Sequence, residues 1–376
     1  MHFEPYPFEK LTELLKDITP NSDYPAVSLT IGEPQFETPD FIQEAFKKNS
    51  ALLNKYPKSS GEAYVNDAQR NFVKKRFGVA LKSSELLCTF GTREVLFNFP
   101  QYLLHDKPNP VMAYTNPFYQ IYEGAAIASR ARTVHLNLTK ENSFKPDINL
   151  PALKEADLII LNFPNNPTTS VLSLEELGEW VKFALKYDIV LLNDECYSEI
   201  YVGEKPPSLL EASVHVGNES FKNILVINSI SKRSSAPGLR SGFIAGDEKI
   251  LSGYMKYRTY IGAGIPLPLQ MASAAAWNDM EHVELTRAQY AKNLRLAHEI
   301  LGVQEIDATF YVWLEVGDDL EFTRKLYAEK NIKVLPGRFL GRGGMGENYV
   351  RIALVENSVK TEAILKEIKD FIKGLN

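Results

Sequence analysis

Cysteine and histidine are scarce in the 376-residue sequence, and their spacing excludes two kinds of site. The two cysteines, Cys88 and Cys196, are too few for a disulfide framework, and neither belongs to a Cys-x-x-Cys pair. That usage suits the reducing cytoplasm, where we expect the protein to work. The six histidines are scattered without a His-x-x-x-His pair, so we expect no metal site.

Long apolar runs and an excess of positive charge are also missing. No run approaches the roughly 18 residues that a membrane helix needs. Residues 1–10 have no basic segment followed by an apolar one, so we expect no signal peptide and no membrane partner. The net charge of −5 argues against a nucleic-acid partner, because phosphate neutralisation needs clustered Lys and Arg.

What the chain does have is a regular alternation of apolar runs and helical patterns between residues 86 and 245. The strand candidates are residues 86–90, 111–114, 133–136, 158–162, 189–193, 224–227 and 243–245. One helix candidate, 173–187, begins with the capping-box pair Ser173 and Glu176. Apolar strands alternating with helices are typical of an α/β fold with a mostly parallel sheet covered on both faces.

A different pattern follows residue 246. Helices dominate to about residue 301, and strand candidates at 309–315, 332–335 and 349–353 precede a last helix from about residue 360. This pattern predicts a smaller α+β domain. We expect three parts: an N-terminal segment, 1–45, that joins the small domain; a large domain, 46–275; and the small C-terminal domain, 276–376.

Polar residues at the ends of the predicted strands are the first candidates for a site, since ligands bind at strand ends in such sheets. Asp194 and Tyr197 follow one strand, Asn166 follows another, and Thr92 lies in a strand-to-helix turn that suits an anion. Lys232 lies in a serine-rich loop between two apolar runs. Taken singly, each has an ordinary structural reading as a turn or solvated residue.

Taken together, these residues resemble the class I/II aminotransferases of fold type I, across essentially the whole chain. The matching positions, in chain order, are Gly91-Thr92-Arg93, Tyr119, Asn166, Asp194, Tyr197, Ser229, Lys232 and Arg240. The resemblance implies a large domain with a mostly parallel seven-stranded sheet sandwiched by helices, plus a smaller α+β domain. It also implies pyridoxal 5'-phosphate (PLP) as cofactor and a homodimer with shared active sites.

The resemblance assigns the residues around the cofactor ring. It implies that Lys232 forms a Schiff base with PLP and moves the Cα proton of the substrate. Asp194 is expected at the pyridine nitrogen, and Tyr197 and Asn166 at the ring 3-oxygen. Tyr119 is expected to stack on the ring, with a packing role in the core as the alternative.

The resemblance also assigns the remaining cofactor contacts and the substrate contacts. The residues expected near the cofactor phosphate are Thr92, Ser229 and Arg240, with Tyr56 given by the second subunit, and Arg93 is expected to contact the cofactor. For the substrate, Arg351 matches the arginine that forks onto the α-carboxylate. Gly32 matches a glycine whose backbone approaches the same group, where a side chain would clash, and Asn166 is expected nearby.

Two features depart from the family pattern or compete with it. Thr169 stands where the family usually has glycine, and a β-branched residue adopts positive φ only at a cost, so we expect the loop after Thr168 to differ. Residues 341–346 satisfy the dinucleotide pattern Gly-x-Gly-x-x-Gly. They precede a strand candidate and no helix, so we interpret them as a mobile loop near the substrate entrance.

Within the family, the resemblance is to the proteobacterial N-succinyldiaminopimelate aminotransferases of lysine biosynthesis. The stretches that carry it include residues 116–125, 194–201, 237–243 and 257–260. It implies amino transfer between glutamate and N-succinyl-2-amino-6-oxopimelate. Both are multiply anionic, so a second cation is expected near the distal carboxylates, with Arg258 as a candidate. An aspartate or broad-specificity aminotransferase and a PLP-dependent lyase remain alternatives.

Overall fold

One sheet of seven strands forms the centre of the structure, a computed structural model that describes residues 2–375. The strands are β1 Val27–Ser28, β2 Leu86–Thr89, β3 Val111–Asn116, β4 Arg132–Asn137, β5 Leu158–Leu161, β6 Val190–Asp194, β7 Ile224–Ser229, β8 Gly242–Gly246, β9 Tyr311–Glu315, β10 Ile332–Lys333, β11 Leu335–Pro336 and β12 Tyr349–Ala353. The helices are α1 Pro7–Leu15, α2 Asp40–Lys48, α3 Ala63–Phe77, α4 Thr92–Leu103, α5 Ile121–Ala128, α6 Leu174–Tyr187, α7 Leu209–His215, α8 Ile230–Arg233, α9 Glu248–Arg258, α10 Leu267–Asn278, α11 Glu281–Leu301, α12 Asp319–Lys330 and α13 Ser358–Leu375. Within residues 2–375, no helix is both long enough and apolar enough to cross a membrane.

The large sheet has the order β2-β8-β7-β6-β5-β3-β4. The run from β4 to β7 is parallel, and β8 is antiparallel to both of its neighbours. Alternate residues of β5 pack into different cores: Ile159 and Leu161 into one, Leu158 and Ile160 into the other. Both faces of the sheet are therefore covered, as near-continuous apolar strands require. The predicted α/β fold with a mostly parallel seven-stranded sheet is confirmed.

Strand direction brings the polar loops to one edge of this sheet. The parallel strands β5, β6 and β7 end there, so Asn162, Asp194 and Ser229 are neighbours along the edge. Because β2 is antiparallel to β8 and β8 to β7, β2 also ends at this edge, and α4 begins just beyond it. The start of β8 faces the same way, which places Arg240 beside these strand ends.

Two smaller sheets lie beyond the large one in the chain. Strands β11, β12 and β9 form an antiparallel sheet, and β1 pairs in parallel with β10, so the N-terminal segment joins residues from the last quarter of the chain. Helix α11 packs against α13 beside them. The proposed domain boundaries at residues 45 and 275 remain a prediction.

Several predicted elements differ from the structure in detail. The candidate 332–335 is two strands in two sheets, β10 with β1 and β11 with β12. Strand β9 begins at Tyr311 instead of residue 309, because Thr309 has a φ of 72°, which is incompatible with an extended strand. Helix α6 starts as predicted, with the Ser173 hydroxyl accepting from the Glu176 amide at 3.2 Å.

The loop after β5 adopts a conformation that its sequence disfavours. Thr169 has a φ of 69°, the left-handed conformation that we expected a β-branched residue to avoid. Its amide donates to the Asn165 carbonyl at 3.0 Å, and the Asn165 side chain accepts from the Thr168 hydroxyl at 2.7 Å. The hydrogen bonds of Asn165 therefore hold the turn in a conformation that costs an L-residue roughly 1–2 kcal/mol.

Arg258 is structural and does not face a substrate. Its guanidinium is fully buried and pairs with Glu94 on α4, with Nε 2.6 Å from Oε1 and Nη2 3.2 Å from Oε2. Nη1 donates to the Ser59 carbonyl at 3.0 Å. The expectation that Arg258 binds a distal carboxylate of the substrate is therefore wrong, because none of its fork is left for another anion.

Replacing Thr169 with glycine should stabilise the protein. Glycine adopts a φ of 69° without steric cost, and the gain exceeds its extra entropy in the unfolded chain, so Thr169→Gly should raise the free energy of unfolding by about 1 kcal/mol. Urea denaturation measures the change. The control Thr12→Gly, within α1, should lower stability. A destabilised Thr169→Gly variant would show that the turn carries no strain.

Removing Arg258 should strongly destabilise the protein. Arg258→Met leaves the buried carboxylate of Glu94 without its partner, at a cost of about 3–5 kcal/mol in urea denaturation. Adding Glu94→Gln should recover part of this loss, since the unpaired charge disappears. The exposed lysine of the Lys182–Glu179 pair provides a control, because Lys182→Met should change stability by less than about 0.5 kcal/mol. Equal effects at the two sites would contradict the structural role of Arg258.

Candidate active site

A cavity of about 790 Å³ opens at the polar edge of the large sheet. Strand β12 contributes to its far wall, and Tyr6, Pro7 and Phe8 at the start of the chain also line it. The predicted site residues in its lining are Gly32, Thr92, Arg93, Tyr119, Asn166, Asp194, Tyr197, Ser229, Lys232, Arg240 and Arg351. Tyr56 lies outside the cavity, with its side chain fully exposed.

Asp194, at the end of β6, places a buried carboxylate in the lining of the cavity. Oδ2 accepts from the Tyr122 hydroxyl at 3.1 Å, and Oδ1 accepts from the Cys196 amide at 3.2 Å. Burial raises the pKa of Asp194, while these hydrogen bonds and the nearby charge of Lys232 act in the opposite direction. The carboxylate is thus fixed in orientation by a side chain of helix α5 and by a backbone amide of the loop that follows β6.

The loop after β5 connects Asp194 with Asn166. Asn162 donates to the Asp194 carbonyl at 2.9 Å and accepts from the Asn166 amide at 3.0 Å. Asn166 in turn accepts from Nη1 of Arg351 at 2.8 Å. A continuous chain of hydrogen bonds therefore runs from the large sheet to β12.

Arg351 lies buried on β12 with its guanidinium at the cavity. Nη2 donates to the Thr30 carbonyl at 2.7 Å, and the guanidinium carbon lies 4.4 Å from the centre of the Tyr311 ring. Nε is buried and has no hydrogen-bond partner among the described residues. An arginine held in this way can present its fork to a carboxylate.

Tyr197 and Tyr311 both line the cavity and contact each other through their hydroxyl groups, whose oxygens lie 3.0 Å apart. Burial and the neighbouring Tyr311 raise the pKa of Tyr197, so its hydroxyl stays protonated as a donor. A Cβ at Gly32 would lie 1.9 Å from the Tyr311 hydroxyl oxygen. Position 32 therefore requires glycine because Tyr311 packs against it.

Lys232 lies on the short helix α8, directly after β7. Its Nζ donates to the carbonyl of Gly32 and lies 5.8 Å from the centre of the Phe310 ring. Burial lowers the pKa of Lys232, because the charged ammonium is poorly solvated there. The neutral amine, which is the nucleophilic and basic form, is therefore more accessible here than in a solvated lysine.

Hydroxyl groups and Arg240 form an anion pocket at the start of α4. The Ser229 hydroxyl lies 2.8 Å from the Ser231 hydroxyl. Helix α4 begins at Thr92, and no side chain caps its N-terminus, because the N-cap residue is Gly91. A Cβ at Gly91, whose φ is 73°, would lie 2.4 Å from Nη2 of Arg240. Glycine thus leaves a cradle between the helix start and an arginine fork, an arrangement that suits phosphate.

Arg93 and Tyr119 meet at the mouth of the cavity. Nε of the exposed Arg93 donates to the Tyr119 hydroxyl at 2.9 Å. Burial raises the pKa of Tyr119, as does the hydroxyl of Tyr6 close by. Tyr119 presents an aromatic ring at the cavity, as a residue that stacks on a planar ligand must.

Some residues of the site escape sequence reasoning. Tyr122 follows Tyr119 by three residues at the start of α5, a helical spacing that could have suggested a common face. Asn162 ends a predicted strand, as Asp194 nearly does. Tyr311 and the N-terminal residues 6–8 carry no comparable signal, because only the tertiary fold brings them to the cavity.

These groups fit PLP. The anion pocket around Gly91 suits a phosphate, and the buried carboxylate of Asp194 suits a protonated ring nitrogen. Lys232 supplies an amine in the same cavity, and Tyr197 and Asn166 supply side-chain polar groups for a ring oxygen. The chemistry of the donor set thus matches each functional group of the cofactor.

Comparisons with known proteins agree with this geometry. A family model described as aminotransferase class I and II matches residues 24–368. LL-diaminopimelate aminotransferase of Aquifex aeolicus (strain VF5) is 33% identical over 368 residues, which cover 93% of this chain and 91% of that protein. The crystal structure of aminotransferase AspB from Helicobacter pylori 26695 is 53% identical with a TM-score of 0.97, covering 99% of this chain and 100% of that one. An aminotransferase from Neisseria meningitidis Z2491 is 39% identical with a TM-score of 0.93, covering 99% and 98%. The chain therefore belongs to the class I and II aminotransferases, a family of PLP-dependent transaminases that act on small amino and keto acids.

Proposed function

We propose that the protein transfers an amino group between the glutamate/2-oxoglutarate pair and N-succinyl-2-amino-6-oxopimelate, in two successive half-reactions. The observation that supports this proposal most is the composition of the cavity lining. It contains Lys232 and Asp194 together with three arginines, Arg93, Arg240 and Arg351. Both substrates carry several carboxylates, which arginine forks bind well. The name of the Aquifex aeolicus relative supports a diaminopimelate-type substrate.

The residues of the cavity would hold the cofactor at its two ends. When bound, PLP supplies an electron sink for the charge left on Cα after proton removal. Asp194 would keep a proton at the ring nitrogen, and Tyr197 and Asn166 would hydrogen-bond the ring 3-oxygen. Thr92, Ser229 and Arg240 would hold the phosphate, and Tyr119 would stack on the ring.

Lys232 and Arg351 act on the amino acid. The fork of Arg351, oriented by Asn166 and Thr30, binds the α-carboxylate and so fixes the position of Cα. The amine of Lys232 would accept the Cα proton of the amino donor as a general base, and in the opposite half-reaction it would return a proton to Cα as a general acid. Burial lowers the pKa of Lys232, which makes the proton-accepting form more accessible than in a solvated lysine.

The active site is completed in a homodimer. Tyr56 and Tyr260 are almost fully exposed in the single chain, and Leu53, close to Tyr56 in sequence, is largely exposed as well. Arg258 ties the segment of Ser59 to the end of α9, so both exposed aromatics lie on segments that are held together. We place Tyr56 of the partner subunit at the cofactor phosphate. The cytoplasmic location suggested by the two cysteines stays a prediction.

A second candidate substrate is diaminopimelate without the succinyl group. The name of the Aquifex aeolicus relative favours it. An aspartate or broad-specificity aminotransferase uses the same chemistry with a smaller acceptor. A PLP-dependent lyase would release a keto acid and ammonia from a single amino acid and needs no amino acceptor.

Lys232 should be the site of covalent attachment of PLP. Borohydride treatment of the PLP-loaded protein should add one reduced cofactor per subunit, mapped to Lys232 by peptide mass spectrometry. Lys232→Ala should show no attachment and lose roughly 10³-fold or more in kcat. The exposed Lys182 is the control, since Lys182→Ala should behave as the wild type. Wild-type turnover by Lys232→Ala would refute the assignment.

The amino acceptor should be the succinylated keto acid. With glutamate as donor, kcat/KM for N-succinyl-2-amino-6-oxopimelate should exceed that for oxaloacetate and pyruvate by roughly tenfold or more, since additional carboxylates bind in the basic cavity. Coupled detection of 2-oxoglutarate measures all three. Turnover of oxaloacetate with none of the succinylated acid would contradict the proposal. Activity of LL-diaminopimelate with 2-oxoglutarate would instead favour the second candidate.

A further inference from the structure

Four cations line the cavity: Arg93, Lys232, Arg240 and Arg351. Three have partners that fix them for roles already given. Lys232 donates to the Gly32 carbonyl, Arg240 to the carbonyls of Pro237 and Phe90, and Arg351 to Asn166 and the Thr30 carbonyl. No such role has been given to Arg93 above, although the family resemblance implies that it contacts the cofactor.

The guanidinium of Arg93 is exposed at the mouth of the cavity. Its hydrogen bond within residues 2–375 runs from Nε to the Tyr119 hydroxyl, and no carboxylate of that range lies within 4.0 Å of it. Other arginines near the cavity are paired with acids: Arg258 with Glu94, and Arg342 with Glu123. The two Nη groups of Arg93 are therefore left available for an anion.

The position of Arg93 also favours negative charge. It lies in the first turn of α4, where the helix dipole is positive. Tyr119 holds the guanidinium through Nε, which leaves the edge with both Nη groups to form a bidentate contact. Three acids also line the cavity, and none of them forms an ion pair with Arg93. Glu94 is paired with Arg258, Asp194 is bound by Tyr122 and the Cys196 amide, and Glu33 has no carboxylate oxygen within 4.0 Å of the Arg93 guanidinium.

We propose that Arg93 binds the distal carboxylate of dicarboxylic substrates, while Arg351 binds the α-carboxylate. This role replaces both the one that we expected for Arg258 and the cofactor contact expected for Arg93. It rests on the proposed use of glutamate and of a multiply anionic acceptor. Arg93 thereby determines the preference of the enzyme for substrates with a second carboxylate.

The test compares Arg93→Gln and Arg93→Lys with the wild type. In a ping-pong reaction kcat/KM for each amino acid reports its own half-reaction, so glutamate and alanine are compared by stopped-flow absorbance of the loaded enzyme. The ratio of kcat/KM for glutamate to that for alanine should fall roughly 10- to 100-fold in Arg93→Gln, the range of a charge-assisted hydrogen bond. Arg93→Lys should recover part of it. Arg132→Gln, an exposed arginine on β4 paired with Glu155, should keep the wild-type ratio.

Binding measurements make the outcome independent of turnover. The affinity of the PLP-loaded protein for glutarate and for butyrate is measured by calorimetry. Arg93→Gln should lower the affinity for glutarate about tenfold or more and the affinity for butyrate much less. The dissociation constant of PLP is measured in parallel. An equal loss of affinity for glutarate and for butyrate, or a loss that follows weakened PLP binding, would overturn the proposal and favour the cofactor contact first expected for Arg93. If the wild-type enzyme does not turn over the succinylated keto acid but still binds glutarate more tightly than butyrate, only the proposed amino acceptor is rejected, and the role of Arg93 stands.

Discussion

The buried carboxylate of Asp194 is the constraint on which the rest of the site depends. A carboxylate at the end of a central strand is stable there only because Tyr122 and the Cys196 amide satisfy its oxygens. Asn162 binds the carbonyl of the same residue and also orients Asn166. The position of the substrate-binding arginine follows from this chain, because Arg351 donates to Asn166. A substitution at Asp194 should therefore also change the position of Arg351 at the far wall of the cavity.

Topology explains why one edge of the sheet collects so much chemistry. Parallel strands β5 to β7 deliver their following loops side by side, and the two antiparallel pairings around β8 bring the start of α4 and Arg240 to the same place. The amine of Lys232 and the carboxylate of Asp194 thus face one cavity, in surroundings that shift their pKa values in opposite directions, lowering the first and raising the second. Burial disfavours the charged form of both groups, which suits proton transfer by Lys232, whereas the hydrogen bonds to Asp194 counteract burial and support its carboxylate.

The sequence predicted the strands of the large sheet and several polar residues of the cavity lining, because both are marked by local patterns. Apolar runs mark the strands, and Asp194, Asn166 and Lys232 lie just beyond them. Contacts between residues far apart in the chain could not be predicted from these local patterns. Nothing near Tyr311 indicates that it would contact Tyr197 and require glycine at position 32, and the burial of Arg258 against Glu94 depends on how α9 packs on α4. Thr169 shows the converse, since its local preference is overridden by the hydrogen bonds of Asn165.

Amino transfer in this cavity should proceed in two separate half-reactions. This can be measured by mixing the PLP-loaded protein with glutamate in the absence of any acceptor and quantifying the 2-oxoglutarate formed. We expect about one equivalent per subunit, after which the reaction stops until a keto acid is added, as in ping-pong exchange. Continued release of keto acid and ammonia without an acceptor, or no release at all from the loaded protein, would contradict it.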